Sequence, residues 1–145
     1  MATEAARRAL EMAGVKAEEL DMIVVGTTSP DMIMPNTGAL VQKNIGASNA
    51  FGFDVYAACS GFIYALTIAD KFVKESPEKK VLAIGAELLS SITDWQDRNT
   101  CVLFGDAAGA VLVSGSSDTD RGILSTHLHS DGCLWELLYI PGGGC

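Results

Sequence analysis

The sequence predicts an α/β protein in which a largely parallel mixed sheet lies between helices. Three observations carry that class. Short apolar runs rich in β-branched residues, such as Met22-Ile23-Val24-Val25 and Val81-Leu82-Ala83-Ile84, read as buried strands. Stretches with apolar residues every three or four positions separate them and read as helices. Strand and helix alternate along most of the chain, the pattern of parallel strands joined by helical crossovers. With 145 residues, 48% of them hydrophobic, the chain has enough apolar surface for a single core. It contains no internal repeat and no low-complexity segment.

Taken in order, Thr3 to Ala13 predicts a helix capped by Thr3, with a stripe at Ala6, Ala9, Leu10 and Ala13 and a terminator at Gly14. Leu20 to Gly26 is the first apolar strand. Thr27 to Pro35 is a loop whose Met32, Ile33 and Met34 are unusually apolar, so it folds over a pocket, presses on a partner or packs in the core. Asn36 is placed to cap a second helix, with Leu40, Val41 and Ile45 on one face and Gly46 at its end. Phe51 to Tyr56 is the next strand. A third helix runs from Gly61 to about Glu75 and must stop before Pro77. Val81 to Ala86 is a buried strand, Leu88 to Asn99 an irregular or helical connection, and Val111 to Val113 a further strand. Arg121 to Ser130 is expected to be a strand paired with it through the turn at Ser116-Ser117-Asp118. The chain closes on the flexible Pro141-Gly142-Gly143-Gly144-Cys145, which reads as a cut rather than a finished element.

Composition narrows the partners. A net charge of −8 offers no basic stripe to nucleic acid or to an anionic membrane. No apolar run approaches the ~20 residues that cross a bilayer. Cys59, Cys101, Cys133 and Cys145 contain no CxxC pair to hold zinc, and the polar opening Met1-Ala2-Thr3-Glu4 is not a signal peptide. These features predict reduced thiols and a cytoplasmic location.

The stretch richest in chemistry is Asp54-Val55-Tyr56-Ala57-Ala58-Cys59-Ser60-Gly61-Phe62. It places Cys59 on a strand-to-helix turn, where unpaired N–H groups and the helix dipole favour a thiolate. Small neighbours leave room for a thioester to approach. The competing reading is a cysteine that packs as a small hydrophobe.

Other candidates are weaker. Gly105 to Gly109 lacks the following Lys-Ser/Thr of a phosphate cradle and leads into a strand, so close backbone packing accounts for it better. His127 and His129 lie two apart on the predicted strand and share a face, without local partners for a metal site. Asp94, Asp97 and Asp106 are candidate bases or solvated loop residues, and Arg98 is a candidate anion contact.

Together with Asp97-Arg98-Asn99-Thr100, Phe104-Gly105-Asp106-Ala107-Ala108-Gly109-Ala110 and the tract Ile123 to Gly132, the cysteine stretch resembles the β-ketoacyl-acyl-carrier-protein synthase III family, and the likeness runs nearly end to end. The resemblance implies a thiolase-like fold of two similar βαβαβαββ halves working as a homodimer, with residues 1–145 as most of the N-terminal half. It implies that Cys59 takes an acetyl group from acetyl-coenzyme A and that the acyl-enzyme condenses with malonyl-acyl carrier protein as carbon dioxide leaves. Coenzyme A is then part of a substrate and no cofactor or metal is needed. The backbone N–H of Cys59 would contribute to the oxyanion hole. Arg98 matches the arginine that contacts the coenzyme A nucleotide, Met34 a position reaching into the partner's acyl pocket, and Leu89 and Phe104 the pocket wall.

The resemblance also marks what is missing. The family's catalytic His and Asn, and most of its basic patch for carrier protein, lie in a second half outside these residues, and His127 and His129 do not stand in for them. The family's first strand is missing too; in the order 3-2-1-4-5 it would lie between the strands of Val24 and Val81, whose N–H and C=O groups would go unpaired at roughly 1–3 kcal/mol each. An internal piece of a longer polypeptide, inactive alone, is therefore expected. The alternatives are a non-catalytic fragment or dimerisation partner, and a related condensing enzyme with another acyl primer, since Met34 is flexible and does not fix chain length.

Overall fold

The computed structural model describes residues 1–118 and 120–142. Its main elements are α1 (Ala2–Ala13), β1 (Met22–Gly26), α2 (Thr37–Ile45), β2 (Phe51–Val55), α3 (Gly61–Glu75), β3 (Lys80–Leu88) and β4 (Asp106–Ser114). Short 3-10 turns cover Ala17–Glu19, Ala58–Ser60, Leu89–Ser91 and Gly132–Leu137. Cys145 and the glycines before it from Gly143 lie outside the described residues.

Each helix is bounded by local chemistry. α2 begins where the Asn36 side chain accepts the N–H of Ala39 at 2.7 Å, and it ends at Gly46, which takes a left-handed φ of 77°. Gly14 ends α1 in the same way, with φ 64°. The N-terminus of α1 corrects the expected cap. Met1 holds that position without a side-chain bond, and Thr3 lies inside the helix, where its hydroxyl accepts from Asn44 at 3.2 Å. Ala13 is exposed, so the buried stripe runs through Ala2, Ala6 and Leu10 instead.

The sheet order is β2-β1-β3-β4. β1 pairs in parallel with β2 and β3, while β4 runs antiparallel to β3 from Lys80↔Ser114 to Leu88↔Asp106. Alternation along the central strands splits the core into two layers. Ile23, Val25, Leu82 and Ile84 face α1 and α2 with Leu10 and Val41; Met22, Val24, Val81 and Ala83 face Ala65, Ala69 and Val73 of α3. Each large side chain buried this way stabilises the fold by roughly 1.5–3 kcal/mol.

Three expectations are corrected. No gap separates the strands of Val24 and Val81: Met22 through Gly26 pair directly with Val81 through Gly85. The crossover through α3 carries the chain from β2 over β1 and lays β3 on the far side, so those backbone groups are satisfied. The glycine-rich tract does not precede a short strand; Asp106 to Ala110 already belong to β4, because that strand follows β3 along its whole length. Finally, 121–130 form no strand. Lys74 Nζ reaches the carbonyl of Ile123 at 3.5 Å and Tyr64 Oη lies 3.3 Å from Ser130 Oγ, so this segment runs back along α3 rather than beside β4.

Candidate active site

The register brings the sequence-predicted site residues to one end of the sheet. Gly26, Val55 and Gly85 are level across β2, β1 and β3, and the chain leaves all three parallel strands at this end. From β1 departs the loop carrying Met34; from β2, the turn carrying Cys59; from β3, Leu89 within its 3-10 turn. β4 enters here at Asp106, two residues after Phe104, and Arg98 lies in the connection between β3 and β4. Open α/β sheets bind ligands at this carboxyl edge.

Cys59 sits in the single turn Ala58–Ser60 that runs straight into α3 at Gly61, and it is exposed with a free thiol. The packed-hydrophobe reading therefore does not hold. Just before it, Ala58 takes φ 45°, left-handed for a residue with a side chain. The helix start is seated by two glycines. A Cβ on Gly26 would lie 2.3 Å from the carbonyl carbon of Gly61 and 2.5 Å from its oxygen, so only a bare backbone lets α3 come down onto the end of β1.

Around this turn the polar groups act as fasteners. Asp54 accepts the N–H groups of Thr37 and Gly38 at 2.7 and 2.8 Å, joining the strand that leads to Cys59 to the start of α2. Asp106 accepts the N–H and hydroxyl of Ser90 at 2.8 and 2.5 Å and holds the turn of Leu89 against β4. The Ser90 hydroxyl, then its N–H, keep the Asp106 carboxyl below the usual carboxylate range. Asp97 is occupied similarly: Thr100 Oγ1 donates at 2.6 Å and Asn99 N–H at 3.0 Å, and these bonds in that order lower its pKa. Asp94 accepts from Gln96 N–H at 2.9 Å. The three carboxylates considered as bases thus organise turns.

Arg98 and Met34 are exposed, and Leu89 and Phe104 are half-buried. His127 and His129 are exposed on the segment over α3, and among the described residues no three His, Cys, Asp or Glu side chains gather as a metal site. Gly105 and Gly109 do not mark close backbone packing, because a Cβ on either meets nothing within 4 Å. Sequence reasoning missed the fastening role of Asp54, and that of Glu87, whose carboxylate accepts from Thr28 and Ser29 in the loop after β1. The available signal was an acid at the end of each of two otherwise apolar strands.

Fold and site together define a class: a layered α/β protein presenting an exposed thiol where a strand turns into a helix, the thiolase-like arrangement. The family described as 3-oxoacyl-[acyl-carrier-protein (ACP)] synthase III matches residues 53–132, more than half of the chain. The chain belongs to that family. It is 55% identical over 143 residues to a β-ketoacyl-[acyl-carrier-protein] synthase III of Ehrlichia canis, an alignment covering 99% of this chain and 45% of the relative. To the synthase III of Xanthomonas campestris pv. campestris it is 58% identical over 139 residues, covering 96% of this chain and 42% of that one. The solved synthase III of Thermus thermophilus superposes with a TM-score of 0.87 at 43% identity, over 95% of this chain and 42% of that structure. The chain therefore spans less than half the length of these relatives.

Proposed function

We propose that this chain is the cysteine-bearing, N-terminal half of a condensing acyltransferase that starts fatty-acid synthesis. The Cys59 thiolate attacks the carbonyl carbon of acetyl-coenzyme A, or of another acyl-coenzyme A, and the coenzyme A thiolate leaves. The acyl group then stands on sulfur as a thioester. Malonyl-acyl carrier protein loses carbon dioxide, and its resulting carbanion attacks that thioester. A carbon–carbon bond forms and the Cys59 thiolate is released.

The residues of this chain have definite parts in the scheme. The N–H of Cys59 helps to hold the oxyanion of each tetrahedral intermediate. Arg98 meets the coenzyme A nucleotide, while Leu89, Phe104 and the partner's Met34 bound the acyl group. The decarboxylation needs a His and an Asn from the second half, so these residues alone do not turn over. No resident cofactor or metal enters the scheme, and a cytoplasmic setting keeps the thiol reduced. Two copies pair through the edge of β2. That strand is outermost in the sheet, and Phe51 and Tyr56 on and beside it are 53% and 75% exposed.

The observation that carries the reading is the exposed Cys59 at the start of α3, at the same sheet end as Leu89, Phe104 and the connection bearing Arg98. Incubating this chain, joined to the second half its relatives carry, with acetyl-coenzyme A is expected to add the mass of one acetyl group. The adduct is absent in Cys59→Ala. A wild-type protein that takes up no acetyl group refutes the reading.

A further inference from the structure

The loop between β1 and α2 has the most exposed apolar tip at this end of the sheet: Ile33 and Met34 are 92% and 83% exposed and Met32 is 47% exposed. A tip of that kind keeps a fixed position only if its base is held. Glu87, near the carboxyl end of β3, holds it. Its Oε1 accepts the Thr28 N–H at 2.8 Å and the Thr28 hydroxyl at 3.1 Å, and its Oε2 accepts the Ser29 hydroxyl at 2.5 Å. The Ser29 oxygen in turn accepts the N–H of Leu88 at 2.7 Å. The buried Thr27 completes the base by accepting the Ser29 N–H at 3.2 Å.

The far end of the loop is tied by a second carboxylate. Asp54 takes the N–H groups of Thr37 and Gly38, and the Asn36 amide donates to the Gly52 carbonyl at 3.3 Å. The strand of Glu87 continues into Leu89, and that of Asp54 into Cys59. Between the two ties, Thr27, Pro30, Met32, Ile33, Phe53 and Tyr56 line a hollow of about 400 Å³. The tip is thus fixed to the two strands that deliver the predicted pocket wall and the predicted nucleophile.

We propose that Glu87 is a positioning residue for acyl-group selection. By pinning Thr28 and Ser29 to β3 it fixes the tip Met32–Met34, and the fixed tip limits the acyl group admitted beside Cys59 of the second copy. This rests on the reading of Cys59 as the acylated thiol. Glu87 acts through the loop: among the described residues its carboxylate bonds to Thr28 and Ser29, not to the reacting sulfur. Releasing it loosens the limit on size and leaves the thiol itself in place.

The test measures kcat and KM for acetyl-, butyryl- and octanoyl-coenzyme A, using this chain joined to the second half of its relatives. Glu87→Ala and Ser29→Ala are each expected to raise kcat/KM for the longer groups relative to acetyl by about tenfold, mainly through KM. Their double variant should do no more than either alone, because both break one tie. Alkylation of Cys59 by iodoacetamide, a small reagent, stays within about twofold of wild type. Glu87→Gln keeps a carbonyl acceptor for Thr28 and loses the one for Ser29. It shifts the ratio in the same direction and by about as much as Ser29→Ala, which loses the same bond, and it decides the matter if Glu87→Ala does not fold. A wild type that is acylated normally beside a Glu87 variant with unchanged primer ratios overturns this proposal alone. A wild type that takes up no acyl group overturns it together with the reading of Cys59.

Discussion

At Ala58 the backbone takes a left-handed φ of 45°, and the next residue is the cysteine. A side chain in that region costs on the order of 1–2 kcal/mol, which the packed ends of β2 and α3 must outweigh. Gly26 shows how tight that packing is. In Gly26→Ala the new Cβ meets backbone atoms of Gly61 and Phe62, which cannot swing away as a side chain could. Denaturant unfolding is expected to show a loss of about 1–3 kcal/mol. Cys59 acylation should slow by at least about tenfold as the helix start is pushed off the sheet. Gly109→Ala is the control, since its Cβ enters open space, and it should change neither quantity. Asp106 gives a pH prediction. Its carboxyl is held low in the folded chain by Ser90, so the tie is complete above the usual carboxylate range. It is lost as pH falls through the lowered folded value, and stability falls with it. The protection factor of the Ser90 amide, its exchange rate taken relative to the intrinsic rate at each pH, should therefore fall on acidification, and Asp106→Asn should remove that pH dependence.

At the scale of elements, the legible parts were those whose signals are local. Asn36, Gly14 and Gly46 bound their helices as read, because a cap bond or a left-handed turn is made within a few residues. Asn36→Ala should lower stability by about 0.5–2 kcal/mol in thermal or denaturant unfolding, with the loss confined to α2 and the loop before it. The parts misread depend on distant partners. β4 starts at Asp106 because β3 offers pairing groups along its full length, and the small residues Ala107, Ala108 and Gly109 carry no strand pattern of their own. Ile123 and Ser130 look strand-like in sequence, yet Lys74 and Tyr64 of α3 tie that segment elsewhere. The clasp of Glu87 on Thr28 spans 59 positions of sequence, so no window on the chain could reveal it.

At the scale of the molecule, the position of Cys59 was legible because a strand, a turn of small residues and a helix follow one another there. The sheet order was not. Whether β3 falls beside β1 depends on where the α3 crossover lands, and the structure seats it directly against β1. The two outer strands are then β2 and β4, and β2 carries the exposed Phe51. If β2 is the pairing edge, Phe51→Glu should raise the dimer dissociation constant at least about tenfold in sedimentation experiments, with the circular dichroism of the fold retained. The proposed chemistry turns on which sulfur carries the acyl group. Cys101 and Cys133 are also free, so each is an internal competitor. Peptide mapping after brief exposure of the joined protein to isotopically labelled acetyl-coenzyme A is the most direct measurement. The label is predicted on the peptide containing Cys59, and a label carried by Cys101 or Cys133 instead would contradict the account.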